Sequence, residues 1–209
     1  RPADPDAWGM YSHTVNAYYS LSNNEIVFPA AILQAPFYDA DAPIEENLGG
    51  IGSIIAHELS HAFDNNGALF DENGNYANWW TDADLTAYEN KTYALVTQFD
   101  EIELASGEYI NGELTLGENI ADLGGLSCVV QVAKDQGGDL DTLFRAYARA
   151  WRCKSTPEYT SYLLKTDTHS PNKYRVNQVL RNIDEFYEVY GIQEDDGMYL
   201  APEDRVRIW

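Results

Sequence analysis

The chain has 209 residues, 44% of them hydrophobic, which suits one domain with a real core and rules out wholesale disorder. Thirteen basic against 34 acidic side chains give a formal net charge of −21, a field that repels phosphate backbones and anionic lipid and so argues against nucleic acid or a membrane surface as partner. No run approaches the roughly 18 apolar residues of a membrane-spanning helix, and Arg1-Pro2-Ala3-Asp4-Pro5-Asp6 lacks the apolar stretch of a signal peptide.

The first 47 residues lack helical periodicity. Tyr18-Tyr19-Ser20 and Glu25-Ile26-Val27-Phe28 read as short strands around the turn cluster Ser22-Asn23-Asn24, and Pro29 limits the second to an edge or an end. His13 matches no motif and reads as an exposed loop residue. From Leu48 the pattern is helical, with Ile51, Ile54, Ile55, Leu59, Ala62 and Phe63 near the helical period and Asn66-Gly67 as the stop. Thr81 with Asp84 resembles a capping box for a helix to about Phe99. A second long helix runs from Leu116 to about Ala133, ended by Gly137-Gly138. Leu140, Leu143, Phe144, Tyr147 and Trp151 stripe a further one. Ser155 and Glu158 bracket Pro157 as a capping box for a short helix, and Ile183, Phe186, Val189 and Tyr190 mark the last before Gly191. The class is mainly α with a small β portion near the N-terminus. Cys128 and Cys153, in separate predicted helices, are too few for a disulfide framework. They read as reduced, partly buried thiols, with a single bridge as the alternative.

His57-Glu58-Leu59-Ser60-His61 is the informative pentapeptide. At about 100° per residue, positions four apart differ by some 40°, so both imidazoles can meet one tetrahedral metal. Zinc accepts imidazole nitrogen and, in a catalytic site, keeps a position for water. Glu58, next to the first histidine, can reach that water as general base. Glu118, opening a second helix, is the best candidate for a third ligand. Asp122, four residues on, can accept the free ring N–H of a ligating histidine. Such an acid pair alone is usually solvated surface. The neighbouring Gly124-Gly125 would let this helix approach another closely. Zinc with Glu58 and Glu118 is formally neutral, which suits a water that deprotonates near pH 7.

These residues bring a family into view. The chain resembles the C-terminal catalytic part of the neprilysin family of zinc metallopeptidases, in its bacterial neutral-endopeptidase form. The matching stretches include Val15-Asn16-Ala17-Tyr18-Tyr19, Ile26-Val27-Phe28-Pro29-Ala30-Ala31-Ile32-Leu33-Gln34, His57-Glu58-Leu59-Ser60-His61-Ala62-Phe63-Asp64 and Asn78-Trp79-Trp80-Thr81. Further along stand Gly117-Glu118-Asn119-Ile120-Ala121-Asp122, Asp167-Thr168-His169-Ser170-Pro171, Tyr174-Arg175-Val176-Asn177 and Arg207-Ile208-Trp209. The resemblance implies a thermolysin-like zinc peptidase domain over residues 1–209, with one zinc per chain on His57, His61 and Glu118. It implies Glu58 as base and proton donor and Asp122 as the partner of His57. His169 is similar to the histidine that bonds the oxyanion, and Asp167 to the acid that orients it. Arg175 resembles the arginine that binds a substrate carbonyl. Asn16 and Ala17 fall where relatives bind peptide backbone, and Ile32, Phe37 and Trp151 near the apolar pocket for the side chain after the scissile bond.

Two departures accompany the match. Family members are much longer, so the chain is expected to be a fragment whose N-terminal helical lobe, a partner for the cleft, is absent. Val206 stands where secreted animal members have Cys before their Arg-x-Trp end, which favours a bacterial-type member, cytoplasmic or secreted. The expected substrates are short peptides cut on the N-terminal side of hydrophobic residues. The alternatives are a zinc-binding module that does not hydrolyse and a purely structural acidic binding domain.

Overall fold

A two-stranded antiparallel hairpin stands near the start, β1 (Tyr18–Ser20) on β2 (Glu25–Val27), with Tyr19 opposite Ile26. Eight helices follow among the residues described by this computed structural model, 7–104 and 106–208. The Arg1–Asp6 segment and Trp209, both used above, lie outside them. The helices are α1 (Ile44–Asn47), α2 (Ser53–Ser60), α3 (Asp82–Asp100), α4 (Leu116–Asp135), α5 (Leu140–Ala150), α6 (Pro157–Thr166), α7 (Asn172–Leu180) and α8 (Asp184–Tyr190).

Local chemistry explains most of these boundaries. Thr81 caps α3 by accepting from Asp84 N. Gly191, at φ +63°, closes α8 in the left-handed region that glycine enters without a Cβ penalty. The cap of α6 is Thr156 rather than Ser155: its side chain accepts from Tyr159 N, and Pro157 follows at the first helical position, where its missing N–H costs nothing. Cys128 and Cys153 are both free and exposed, and Cys153 lies past the end of α5, so neither the partly buried reading nor the bridge holds. His13 is an exposed loop residue, stacked on Tyr11.

The core gathers around α4. Ile120 and Leu126 from α4, Leu95 and Phe99 from α3, Leu143 and Phe144 from α5 and Val179 from α7 are essentially sealed from water. The C-terminal strap joins them through Val206 and Ile208, with Val206 N donating to Asn182 Oδ1 at 2.7 Å. A smaller cluster of Ala17, Ile32, Ile51 and Ile54 seats the hairpin and its following loop against α2.

The apolar stripe expected on α2 does not form one buried face. Ile51 and Ile54 are buried, whereas Leu59 is 50% and Phe63 47% exposed. The helix is also interrupted: Leu48–Gly52 is a widened turn in which Gly50 leaves helical torsions. Gly49 and Gly50 there press against the backbone of Leu143 and Phe37, where no Cβ fits. Beside Ile54 and Ala56, α2 buries three polar residues, Ser53, His57 and Glu58.

This burial depends on Gly125. A Cβ there would lie 2.8 Å from His57 N and 2.8 Å from Ser53 O, backbone atoms that cannot rotate away. Gly125→Ala is therefore expected to push α2 and α4 apart and cost about 1–3 kcal/mol, as overpacking does. Urea unfolding measures it; a variant as stable as the parent would show that the two helices have slack.

Candidate metal centre and cleft

Five elements converge on one cleft of about 470 Å³. α2 brings His57 and Glu58, with His61 just past its end; α4 brings Glu118; α7 brings Arg175; the loop before α7 brings His169; the segment leading into the hairpin brings Asn16 and Ala17. Ile32, Phe37 and Trp151 line the same cleft. Asp122 and Asp167 stand behind it as partners of cleft residues. The structure thus brings together every residue singled out by sequence.

His57 Nε2 and His61 Nε2 are 3.0 Å apart, and Glu118 Oε2 lies 3.3 Å from the first and 3.7 Å from the second. The far nitrogens are both engaged: His57 Nδ1 with Asp122 Oδ1 at 2.8 Å, His61 Nδ1 with Asp64 Oδ2 at 2.7 Å. An imidazole that donates its Nδ1–H to a carboxylate presents a lone pair at Nε2. Two such lone pairs and a carboxylate oxygen facing one another repel, unless a cation sits among them. Four ligands at zinc distances of 2.0–2.1 Å stand about 3.3 Å from each other in a tetrahedron, close to the separations found. Glu118 Oε2 is also buried without a well-aligned hydrogen-bond donor. The donor set fits a zinc ion. Glu58 reaches the same group of atoms, within 4.8 Å of both histidines.

Asp64 received no role from the sequence, although the signal was there: an acid three residues after His61. Its other oxygen accepts from the backbone N–H of Asn66 and of Gly67, each at 2.7 Å, so the loop holds the carboxylate in place for His61. Behind the first histidine, Arg175 grips Asp122 with two bonds, Nε to Oδ2 at 2.7 Å and Nη2 to Oδ1 at 2.8 Å. Its guanidinium lies over the Trp151 ring, 3.8 Å from the centroid. His169 Nδ1 and backbone N both meet Asp167 Oδ1, at 2.7 and 2.9 Å, and its Nε2 stands 3.1 Å from Glu118 Oε2. Ser170 donates to Asn119 Oδ1 at 2.8 Å, tying this loop to α4 beside Glu118.

The charges perturb one another strongly. Burial pulls the His57 pKa down, but the hydrogen bond to Asp122 and the Glu118 carboxylate beside the ring outweigh it and raise it to about 9. Burial pushes Glu118 up, yet the His169 and His57 rings beside it hold it far below the usual carboxylate range. Glu58 is raised by burial against the pull of His57 and His61. Asp122 is held low despite burial, by Arg175.

Comparison with known proteins agrees with this geometry. Residues 16–206 match the model of peptidase family M13. A neutral endopeptidase of Lactococcus lactis is 49% identical over 207 residues, 99% of this chain and 33% of the relative. Mouse endothelin-converting enzyme 1 is 40% identical over 218 residues, 98% of this chain and 28% of the relative. The crystal structure of a zinc metalloprotease from Mycobacterium tuberculosis superimposes with a TM-score of 0.96 at 42% identity, covering 100% of this chain and 34% of that one. The chain thus spans about a third of the length of these relatives. Among the described residues no helix is long and apolar enough to cross a membrane.

In metal-free protein the fold favours the protonated His57 ring, which the Asp122 and Glu118 carboxylates flank. His57, raised from 6.5 to about 9 in the fold, then contributes stability that is full below about pH 6.5 and lost as pH rises through about 9. Urea unfolding of chelator-treated protein is expected to show this decline, and protein reloaded with zinc to lack it. A flat metal-free profile across that window would remove the proton from the site.

Proposed function

This chain belongs to peptidase family M13, the neprilysin family, and from that premise we propose that it is the zinc endopeptidase domain of a longer enzyme. One observation carries the reading. Two imidazole nitrogens and one carboxylate oxygen converge at about ligand spacing, each imidazole backed by its own carboxylate. His57, His61 and Glu118 would hold one zinc per chain. Zinc supplies Lewis acidity that lowers the pKa of water and polarises a carbonyl.

The chain's own groups supply the remaining chemistry. Glu58, buried and with its pKa raised, takes the proton of the attacking water and passes it to the leaving amine. His169, oriented by Asp167, donates from Nε2 to the oxyanion as it develops. Arg175 binds a substrate carbonyl while holding Asp122 for His57. Among the described residues β1 pairs only with β2, so its other edge is free to accept an extended peptide beside Asn16 and Ala17. Ile32, Phe37 and Trp151 supply apolar wall, which favours cleavage on the N-terminal side of a hydrophobic residue. The substrates are short peptides, and the remainder of the enzyme is a partner of this domain that encloses the cleft.

The decisive variant is Glu58→Gln, which keeps the shape of the carboxylate but cannot take a proton. Hydrolysis of a quenched peptide is expected to fall by at least roughly 10²–10⁴-fold, with about one zinc per chain still bound by atomic absorption. Near-parental cleavage would remove Glu58 as base. A parent protein that binds zinc yet cleaves nothing would favour a non-hydrolytic module.

His169→Ala is expected to lower kcat on the order of 10²–10³-fold with little change in KM, because its contact is made mainly in the transition state. A raised KM with unchanged kcat would place His169 in ground-state binding instead.

A further inference from the structure

The cations of this acidic chain are almost all engaged. Lys134, Arg145, Arg149 and Lys165 pair with carboxylates, and Arg205 and Arg207 share Asp184. Arg175 holds Asp122, while Lys91 and Arg181 donate to backbone carbonyls. Among the described residues three remain, Arg152, Lys154 and Lys173. Lys173 has only the ring face of Tyr174, 5.3 Å from its centroid. Among the described residues these three side chains have neither a carboxylate nor a backbone carbonyl as partner, and all three line one groove of about 980 Å³.

The groove runs between the end of α5, helix α6 and the start of α7. The one carboxylate among its lining residues is Asp167, already bonded to His169 twice. Trp151 and His169 line both this groove and the catalytic cleft, so the two spaces share a wall. A peptide leaving the cleft past Trp151 therefore enters a positive channel on an otherwise negative protein.

We propose that this groove is a subsite for acidic side chains of the peptide substrate, in the segment C-terminal to the scissile bond. The inference rests on the peptidase reading above. Three cations, contributed from both sides of α6, suit several carboxylates along a segment better than a single terminal one. The net charge of −21 repels acidic peptides elsewhere, so the groove confines their approach to one route.

The test uses three C-terminally amidated peptides, identical around the cleaved bond, whose downstream segment carries Gln, Glu or Lys. The parent protein is expected to show a KM about five- to tenfold lower for the Glu peptide than for the Gln peptide at low ionic strength, with the difference shrinking as salt is added. The triple substitution Arg152→Gln, Lys154→Gln, Lys173→Gln should erase that preference and leave kcat/KM for the Gln peptide unchanged. Equal KM values in the parent, or a preference that survives the triple substitution, would overturn the subsite. Failure of the peptidase reading looks different: the parent would cleave none of the three peptides. Fluorescence anisotropy of the labelled Glu and Gln peptides on zinc-loaded Glu58→Gln protein then decides the groove alone. Tighter binding of the Glu peptide, lost with the three cations, supports it; equal binding overturns it.

Discussion

The structure turns on a buried chain of charge, Arg175 to Asp122 to His57, that crosses α7, α4 and α2. All three side chains are more than nine-tenths shielded from water. Charges removed from water are tolerated only when paired and hydrogen-bonded, and removing one partner strands the other at a cost of several kcal/mol. Each helix contributes one link, so none can shift without breaking a pair. The same chain fixes the His57 ring, because Asp122 can take only its Nδ1–H and leaves Nε2 to face the cleft. Arg175 carries the restraint outward. It stacks on Trp151 and its carbonyl accepts from Tyr147 Oη at 2.8 Å, so the wall of the cleft and the cleft-facing histidine are set by one residue.

Around that chain the balance of charge is lopsided. Glu118 and Asp122 face the buried guanidinium of Arg175, while Asp64 and Asp167 face His61 and His169 and Glu58 stands beside His57 and His61. The raised pKa values of His57 and His169 express the same imbalance, since each ring is drawn toward its charged form by the acids it faces, against burial. A dication at this centre would relieve the crowding, with Arg175 and the histidines facing the carboxylates left beyond the neutral count of zinc with Glu58 and Glu118. Cations withheld from this centre stand one wall away, at Arg152, Lys154 and Lys173.

Much of this was legible in the sequence, for local reasons. The helices α3, α4, α5 and α8 announce themselves through caps, periodicity and glycine stops, and the His57–His61 pentapeptide through its spacing. What stayed hidden is tertiary. The widened turn at Leu48–Gly52 arises because Gly49 and Gly50 meet the backbone of other segments, which no local pattern records. Helix α7 was missed because the face it buries includes Arg175 and Gln178, residues that a hydrophobicity pattern assigns to solvent. The cap of α6 slipped by one residue because Ser155 and Thr156 are equally good acceptors and only the fold decides between them.

Helix α2 shows why pattern and motif had to disagree. Leu59 and, just past the helix end, Phe63 face outward beside Trp79 and Trp80, while His57 and Glu58 face the interior with Ile54 and Ala56. A hydrophobic stripe would have put the chemistry on the wrong side; only the demands of a metal, two imidazoles on one face with a neighbouring acid, point inward. The inversion has an energetic consequence. Apolar residues of similar volume in place of a buried ionic network are often neutral or stabilising by about 1–4 kcal/mol. A core with Leu-like residues at His57, Asp122 and Arg175 could therefore be as stable as this one or more so, yet would hold no metal. Stability alone does not account for these residues, and the close approach at Gly125 makes their polar interior possible by bringing α2 and α4, with His57 and Glu118, within reach of each other.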